Sequence, residues 1–361
     1  MTLTNKVGDK ALDVVVVATG MPKRGMGWYH LTQLLDMENA NVVGVVEPFF
    51  LNSALCSNPP ESFTSMVSEL EAAGVTCTDS IAKLPKFEKD TVCLIAGRTA
   101  DNPKFFKACI EQGAKIVYLE KPGAPSVAEL EEMRDFAEKQ GVKVYMGYNK
   151  NVTPYVQKAL EKSKEVDGSH VTFCHNNSYK TDELEECFTR NAEGMLKNMA
   201  IHELALLVSF FGVTVDTVDD FKLKTDTEYT EQLTIAGYTD FSKIGFTVKT
   251  KSGSEVSVMA DRCGGNVSYA SVAGVDGAEV AKFEFPDEDA QKKLEVQTKE
   301  DPEMMPYFFI QSDDYLTLKN TVIESVLENK SAGNVATIQV AIDALKLAEH
   351  FTAEASKILQ G

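Results

Sequence analysis

The chain has one tryptophan and five histidines among 361 residues, and its seven cysteines are scattered with no C-x-x-C pair. An odd, dispersed set is neither a disulfide framework nor a thiolate metal site, so the cysteines read as reduced structural thiols and no metal is expected. Cys174 and His175 are sequence neighbours that a strand would point to opposite faces, which rules against a shared ion. Long apolar runs are also missing. The longest near the start, 14–18, is too short for a membrane span or a signal-peptide core, and no basic leader precedes it, so a cytoplasmic location is expected. Positive charge is in deficit: 36 Lys and Arg face 54 Asp and Glu, for a net charge of −18. With no basic cluster to offset it, that balance argues against nucleic acid as a partner, and no membrane partner is expected. No segment is low in complexity, and 43% hydrophobic with 25% charged residues is the composition of a chain that folds throughout.

Single hydrophobic cores stop growing near about 250–300 residues, so two domains are expected, 1–150 and 151–361. The first alternates strand and helix. Asp13-Val-Val-Val-Val-Ala-Thr-Gly20 is a β-branched run ending in glycine, the signature of a strand buried on both faces. Further strands are expected at 41–47, 91–97, 115–120 and 143–148, with helices between them at 28–35, 61–73, 103–113 and 126–140. The last of these has a serine cap and a closing Gly141. Such alternation implies right-handed βαβ units and a doubly wound Rossmann sheet, whose ligands bind beyond the carboxyl ends of the strands.

The residues at those ends are informative. After the first strand come Gly20, Gly25 and Gly27, leading into a helix whose free N–H groups and dipole suit a pyrophosphate, although the spacing is not G-x-G-x-x-G. Twenty residues after Gly27, Glu47 ends the second strand, where a carboxylate can accept both hydroxyls of an adenosine ribose and repel a 2′-phosphate. NAD is therefore favoured, with NADP kept open because Lys23 and Arg24 in the loop could reach such a phosphate. Each feature alone could be a tight turn or a solvated strand end; together they point to a dinucleotide.

The expected strand 115–120 ends in Glu120-Lys121-Pro122, and here the chain resembles the Gfo/Idh/MocA oxidoreductases, whose signature is this tripeptide. Gly27-Trp-Tyr-His30 is similar to that family's G-x-x-H, and Gly147-Tyr-Asn149-Lys150 to its crossover out of the Rossmann sheet. Gly194-Met-Leu-Lys-Asn198-Met-Ala-Ile-His202 resembles its helix with an acid four residues before a histidine. The resemblance implies hydride transfer between nicotinamide and substrate carbon. Lys121 would polarise the substrate oxygen and His202 would serve as general acid or base. Asn149, Lys150 and Asn198 would bind substrate, while Arg98, Thr99 and Glu120 would lie along the nucleotide. Asn198 departs from the usual aspartate: an amide can orient His202 but cannot stabilise an imidazolium by charge.

From residue 170 onward longer alternating runs, at 170–179, 215–224, 233–238, 243–251, 255–261, 267–275 and 279–285, read as an open antiparallel or mixed sheet. Helices at 154–164 and 195–211 would cover one face. The resemblance implies that a second subunit packs on the other, giving a homodimer or homotetramer. Closing helices are expected at 307–328 and 334–359, and acidic residues 182–186 as a lid, a solvated loop or a first helical turn. The leading functional reading is an NAD(P)-dependent dehydrogenase or reductase acting on the CH–OH or keto carbon of a sugar, polyol or related small polar molecule. Its competitors are a catalytically silent NAD(P)-binding regulator of the same architecture and an imine- or dihydrodiol-type enzyme.

Overall fold

Val14, Val15, Val16 and Val17 are all fully buried in the computed structural model, which describes residues 3–361. Stiff β-branched side chains on both faces are tolerated only in a sheet covered on both sides. That sheet is wholly parallel and ordered β3-β2-β1-β4-β5-β6. In chain order its elements are β1 (Leu12–Val17), α1 (Met26–Asp36), β2 (Ala40–Val46), α2 (Glu61–Ala72), β3 (Thr76–Thr78), β4 (Thr91–Ile95), α3 (Asn102–Gln112), β5 (Ile116–Leu119), α4 (Val127–Gln140) and β6 (Lys143–Met146). The order reverses between β1 and β4, so the loops that follow these two strands flank the crevice where such sheets bind ligands. The capping expected for α4 is present: Ser126 Oγ accepts from Glu129 N at 3.3 Å, and Gly141 closes the helix at φ +66°. Three-residue β3 was not anticipated, because it is too short to carry a period.

Next come α5 (Pro154–Glu165), β7 (His170–Asn176), α6 (Leu184–Arg190), α7 (Met195–Asn198), α8 (Ile201–Phe211), β8 (Val218–Leu223), β9 (Glu231–Ile235), β10 (Tyr238–Thr250), β11 (Glu255–Asp261), β12 (Ser268–Ala273) and β13 (Glu279–Phe285). They build a mixed sheet, β13-β12-β7-β11-β10-β8 with β9 beside β10, in which only β7 and β11 run parallel. The chain closes with α9 (Glu288–Glu300), α10 (Pro306–Ile310), α11 (Ser312–Leu327) and α12 (Ile338–Gln360).

Two compact units result. One comprises the chain up to Tyr148 together with Val296–Gln339, and the other Asn149–Glu295 with Val340–Gly361. A division at residue 150 does not anticipate the return of Val296–Gln339 to the Rossmann unit. There Tyr29 stacks on Phe308 with ring centroids 4.5 Å apart, and Met146 N donates to Ala336 O at 2.8 Å beside the β6 edge.

Several helices differ from expectation. The span 195–211 breaks into α7 and α8 around Met199 and Ala200, and 307–328 divides at Gln311; α12 begins at Ile338 rather than 334, and α9 was not foreseen. The acidic run 182–186 forms a short turn and the start of α6, whose Leu184, Cys187 and Phe188 are buried. In the second unit, α5 packs on β7, β12 and β13, and α8 on β7 and β11. Phe351 of α12 stacks on Phe221 of β8 at 4.8 Å.

Candidate active site

The glycine loop is built by close backbone approach. A Cβ on Gly25 would sit 2.3 Å from Thr19 O, and one on Gly27 2.2 Å from Ala18 O, so only glycine lets α1 start against the end of β1. Gly20 takes the left-handed conformation at φ +67°. Glu47 closes this loop from β2: its Oε2 accepts from Gly20 N at 2.8 Å and Thr19 Oγ1 at 3.2 Å, and its Oε1 from Phe49 N at 3.1 Å. The residue is 4% exposed, which removes the solvated-strand-end reading. A carboxylate offers about four acceptor positions, so these bonds leave room for one further donor rather than for the two ribose hydroxyls anticipated. Lys23 is engaged as well, by Asp301 at 3.0 Å and Glu303 at 3.2 Å. The expected reach of this lysine to a 2′-phosphate is thus opposed by two carboxylates of the returning segment. Arg24 is exposed.

The loop after β4 carries Arg98, exposed, and Thr99, half-buried. Arg98 serves through its carbonyl, which accepts from Asp101 N and Asn102 N at the start of α3. Asn102, 1% exposed, ties this loop to the Glu120-Lys121-Pro122 turn by donating to Gly123 O at 3.1 Å. Lys121 is half-buried there. Glu120 is buried, and its Oε1 lies 2.9 Å from His30 Nε2, while Lys319 Nζ of α11 stands 3.0 Å from His30 Nδ1.

In the second unit Glu203, the residue after His202, joins three elements. Its carboxylate bonds the Lys150 ammonium and sits 3.0 Å from His175 Nδ1 at the end of β7. Burial opposes the charge on Glu203, but His175 and then Lys150 outweigh it and hold the carboxyl well below the usual carboxylate range. Asn149, Lys150 and His202 are all buried. Asn198 is displaced by the break before α8: its amide donates to Glu193 Oε1 at 2.6 Å, so the shared helix face expected for Asn198 and His202 is not formed.

A family model, described as an oxidoreductase family with an NAD-binding Rossmann fold, matches residues 12–148. Residues 12–148 belong to the Gfo/Idh/MocA oxidoreductase family. No curated protein matches the sequence. Among solved structures, a myo-inositol dehydrogenase from Corynebacterium glutamicum superposes with a TM-score of 0.67 at 14% identity, covering 94% of this chain and 95% of that one. Myo-inositol 2-dehydrogenase from Lactobacillus plantarum gives 0.66 at 16% identity, covering 96% and 98%. GenD2 from gentamicin A biosynthesis, solved in complex with NAD, gives 0.64 at 15% identity, covering 94% and 93%. These likenesses show a shared fold over both units.

Within the Gfo/Idh/MocA unit, the structure gathers Gly20, Gly25, Gly27 and Glu47 at one strand edge and ties the Arg98–Thr99 loop to the Glu120–Lys121 turn. Sequence reasoning missed Asn102, Lys319 and Glu203, and weighed His175 only as a metal ligand. Asn102 lay beside the Arg98 loop and Glu203 beside His202, so adjacency was their one available signal. Lys319 and His175 are brought in by tertiary contacts far apart in sequence and had none.

Proposed function

We propose that this protein is an NAD-dependent dehydrogenase that moves a hydride between nicotinamide and the CH–OH or keto carbon of a sugar, polyol or related small polar molecule. The observation that carries the reading is the glycine loop locked by the Glu47 carboxylate beside a tethered Glu120-Lys121-Pro122 edge, on a unit of the Gfo/Idh/MocA family. The loop fits the pyrophosphate group: Gly25 and Gly27 let the uncapped N-terminus of α1 approach β1 as a side chain could not. When bound, NAD supplies the hydride acceptor or donor.

The chain's own residues do the rest. The Lys121 ammonium polarises the substrate oxygen and favours its alkoxide character as the hydride leaves. His202 takes or returns the hydroxyl proton, and Asn149 orients polar substrate groups. Lys150, bound to Glu203, contributes a neutralised charge rather than a free ammonium. NAD is preferred to NADP because Glu47 places a carboxylate at the loop and Asp301 and Glu303 occupy Lys23. Copies associate as a homodimer or homotetramer through the sheet face away from α5 and α8, where Thr172, Thr247 and Ser257 lie.

The test is fluorescence titration with NADH and NADPH followed by turnover on sugars and polyols, in the wild type and in Lys121→Ala. Saturable NADH binding and a loss of turnover by orders of magnitude in the variant, with the fold retained, are expected. Near wild-type turnover would remove Lys121 from the chemistry, and no binding of either nucleotide would remove the dehydrogenase reading.

A further inference from the structure

Lys319 is a fully charged residue type at 2% exposure, inside the Rossmann unit, on a helix that returns from late in the chain. Lysines are rarely interred without a partner that uses them. Its ammonium reaches two acceptors, Gln33 Oε1 at 2.6 Å and His30 Nδ1 at 3.0 Å. His30, wholly buried on α1, faces Glu120 Oε1 at 2.9 Å through its other ring nitrogen.

We propose that Lys319 is a positioning residue for the Glu120–Lys121 edge, fixing the tautomer of His30 and through it the carboxylate of Glu120. An ammonium has only donors, so His30 Nδ1 must accept, and the single ring proton must then lie on Nε2. From there it donates to Glu120, which precedes the Lys121 of the motif. The chain Lys⁺–His⁰–Glu⁻ is electrically balanced, which is the condition for burying it. A Cβ on Gly147 would come within 2.3 Å of Glu120 Oε1, so the carboxylate can take this position only because residue 147 is glycine.

The same geometry makes the edge responsive to pH. Burial pushes Lys319 down to about 7, partly countered by Glu120, whereas burial, Lys319 and then the Glu120 contacts leave His30 at about 4 and hence neutral near pH 7. The other groups facing the chain are Tyr118 of β5, Tyr29 of α1, Tyr307 of α10, Tyr315 and Asp314 of α11, and Tyr148. Burial raises the five tyrosines, so they stay neutral in this range. Once Lys319 loses its proton, Glu120 leaves a net negative charge at the edge, and the tautomer of His30 is no longer forced. Binding of an anionic nucleotide should then weaken. This functional half rests on the proposed dehydrogenase reading; the hydrogen-bond relay does not.

Two measurements on the full-length protein separate them. Long-range ¹H–¹⁵N correlation of histidine-labelled protein, with His30 assigned through His30→Gln, should show a neutral ring protonated at Nε2 below neutrality. A ring protonated at Nδ1, or doubly protonated, overturns the relay, and this result needs no nucleotide and no Lys319 variant. NADH titration from about pH 6 to about pH 9 should show affinity falling severalfold near neutrality in the wild type. Lys319→Arg should remain tight and flat across the range, and Lys319→Met weak and flat. A flat wild-type profile, or a Lys319→Arg profile that keeps the wild-type inflection, overturns the positioning role. Failure of NADH to bind at any pH removes the dehydrogenase reading instead, while the ring-nitrogen result still decides the relay.

Discussion

Glu47 is a buried scaffold carboxylate, and the proposed function gives it a second role in selecting the nucleotide. It satisfies the part-buried N–H groups of Gly20 and Phe49, which would lose their acceptor without it. Glu47→Ala should therefore loosen the glycine loop and relax the preference for NADH over NADPH together. Parallel titrations with the two nucleotides check this; an unchanged ratio would remove Glu47 from selectivity. His30 adds a pH signature to stability. Its folded value of about 4 lies below the ordinary histidine value of 6.5, so between the two the unfolded chain binds a proton that the folded protein refuses. Stability should fall as pH drops through that window, by up to about 1.4 kcal/mol per unit from this group. Urea denaturation across the window, with His30→Gln losing that part of the slope, reads it directly.

At the scale of elements, α8 matters because its first turn holds two groups of opposite kind. His202 was expected as a site residue from the motif, but Glu203 is the residue that binds α8 to the segment after β6 and to the end of β7, through Lys150 and His175. Removing one partner of a buried pair leaves an uncompensated charge and typically costs about 3–5 kcal/mol. Glu203→Gln should lower the denaturation midpoint accordingly. Because the folded carboxyl titrates below its ordinary value, the wild type holds this stabilisation above pH 4.5 and loses it as pH falls lower, whereas the variant should lack that acid-side loss. Equal acid sensitivity in both proteins would count against the cluster. The approach to α8 depends on a second buried pair. Arg262 Nη2 bonds Asp240 Oδ2 at 2.6 Å, and Asp240 Oδ1 accepts from Met195 N at 2.9 Å at the start of α7. That anchoring accompanies the interruption of the apolar span expected as one helix, an interruption that hydrophobic periodicity does not register.

Over the whole molecule, the face of the second sheet away from α5 and α8 is the surface to which the proposed association of copies is assigned. His170, Thr172, Thr247, Ser257 and Ser271 alternate with residues that point toward the helices, and hydroxyls are already paired along it, as in the 2.7 Å contact between Thr247 and Ser257. Polar yet flat, such a face can be solvated or matched by a second copy. Sedimentation equilibrium should give a dimer or tetramer, and Thr247→Arg should shift it toward monomer; a monomeric wild type would sink the proposed association. The returning segment Val296–Gln339 is the other large-scale feature. Phe308, Tyr315, Leu318, Val322 and Ile323 are buried in the Rossmann unit, each side chain contributing about 1.5–3 kcal/mol of apolar burial.

What the sequence determined by itself is what short-range patterning encodes. The βα alternation, the Ser126 cap, the glycine turn and Glu47 at a strand end were legible, because buried strands, helix caps and close backbone approaches demand particular residue types at particular spacings; the Glu120-Lys121-Pro122 edge was singled out by its resemblance to a family signature. The tertiary structure alone decided which charges are spoken for. Lys23 is matched by Asp301 and Glu303, Lys150 by Glu203, and Lys319 by Glu120 through the neutral ring of His30, 289 positions away from that lysine in the chain. A buried charge is stable only beside its complement, and that complement can come from any element the fold brings near, so periodicity and local spacing carry no trace of it.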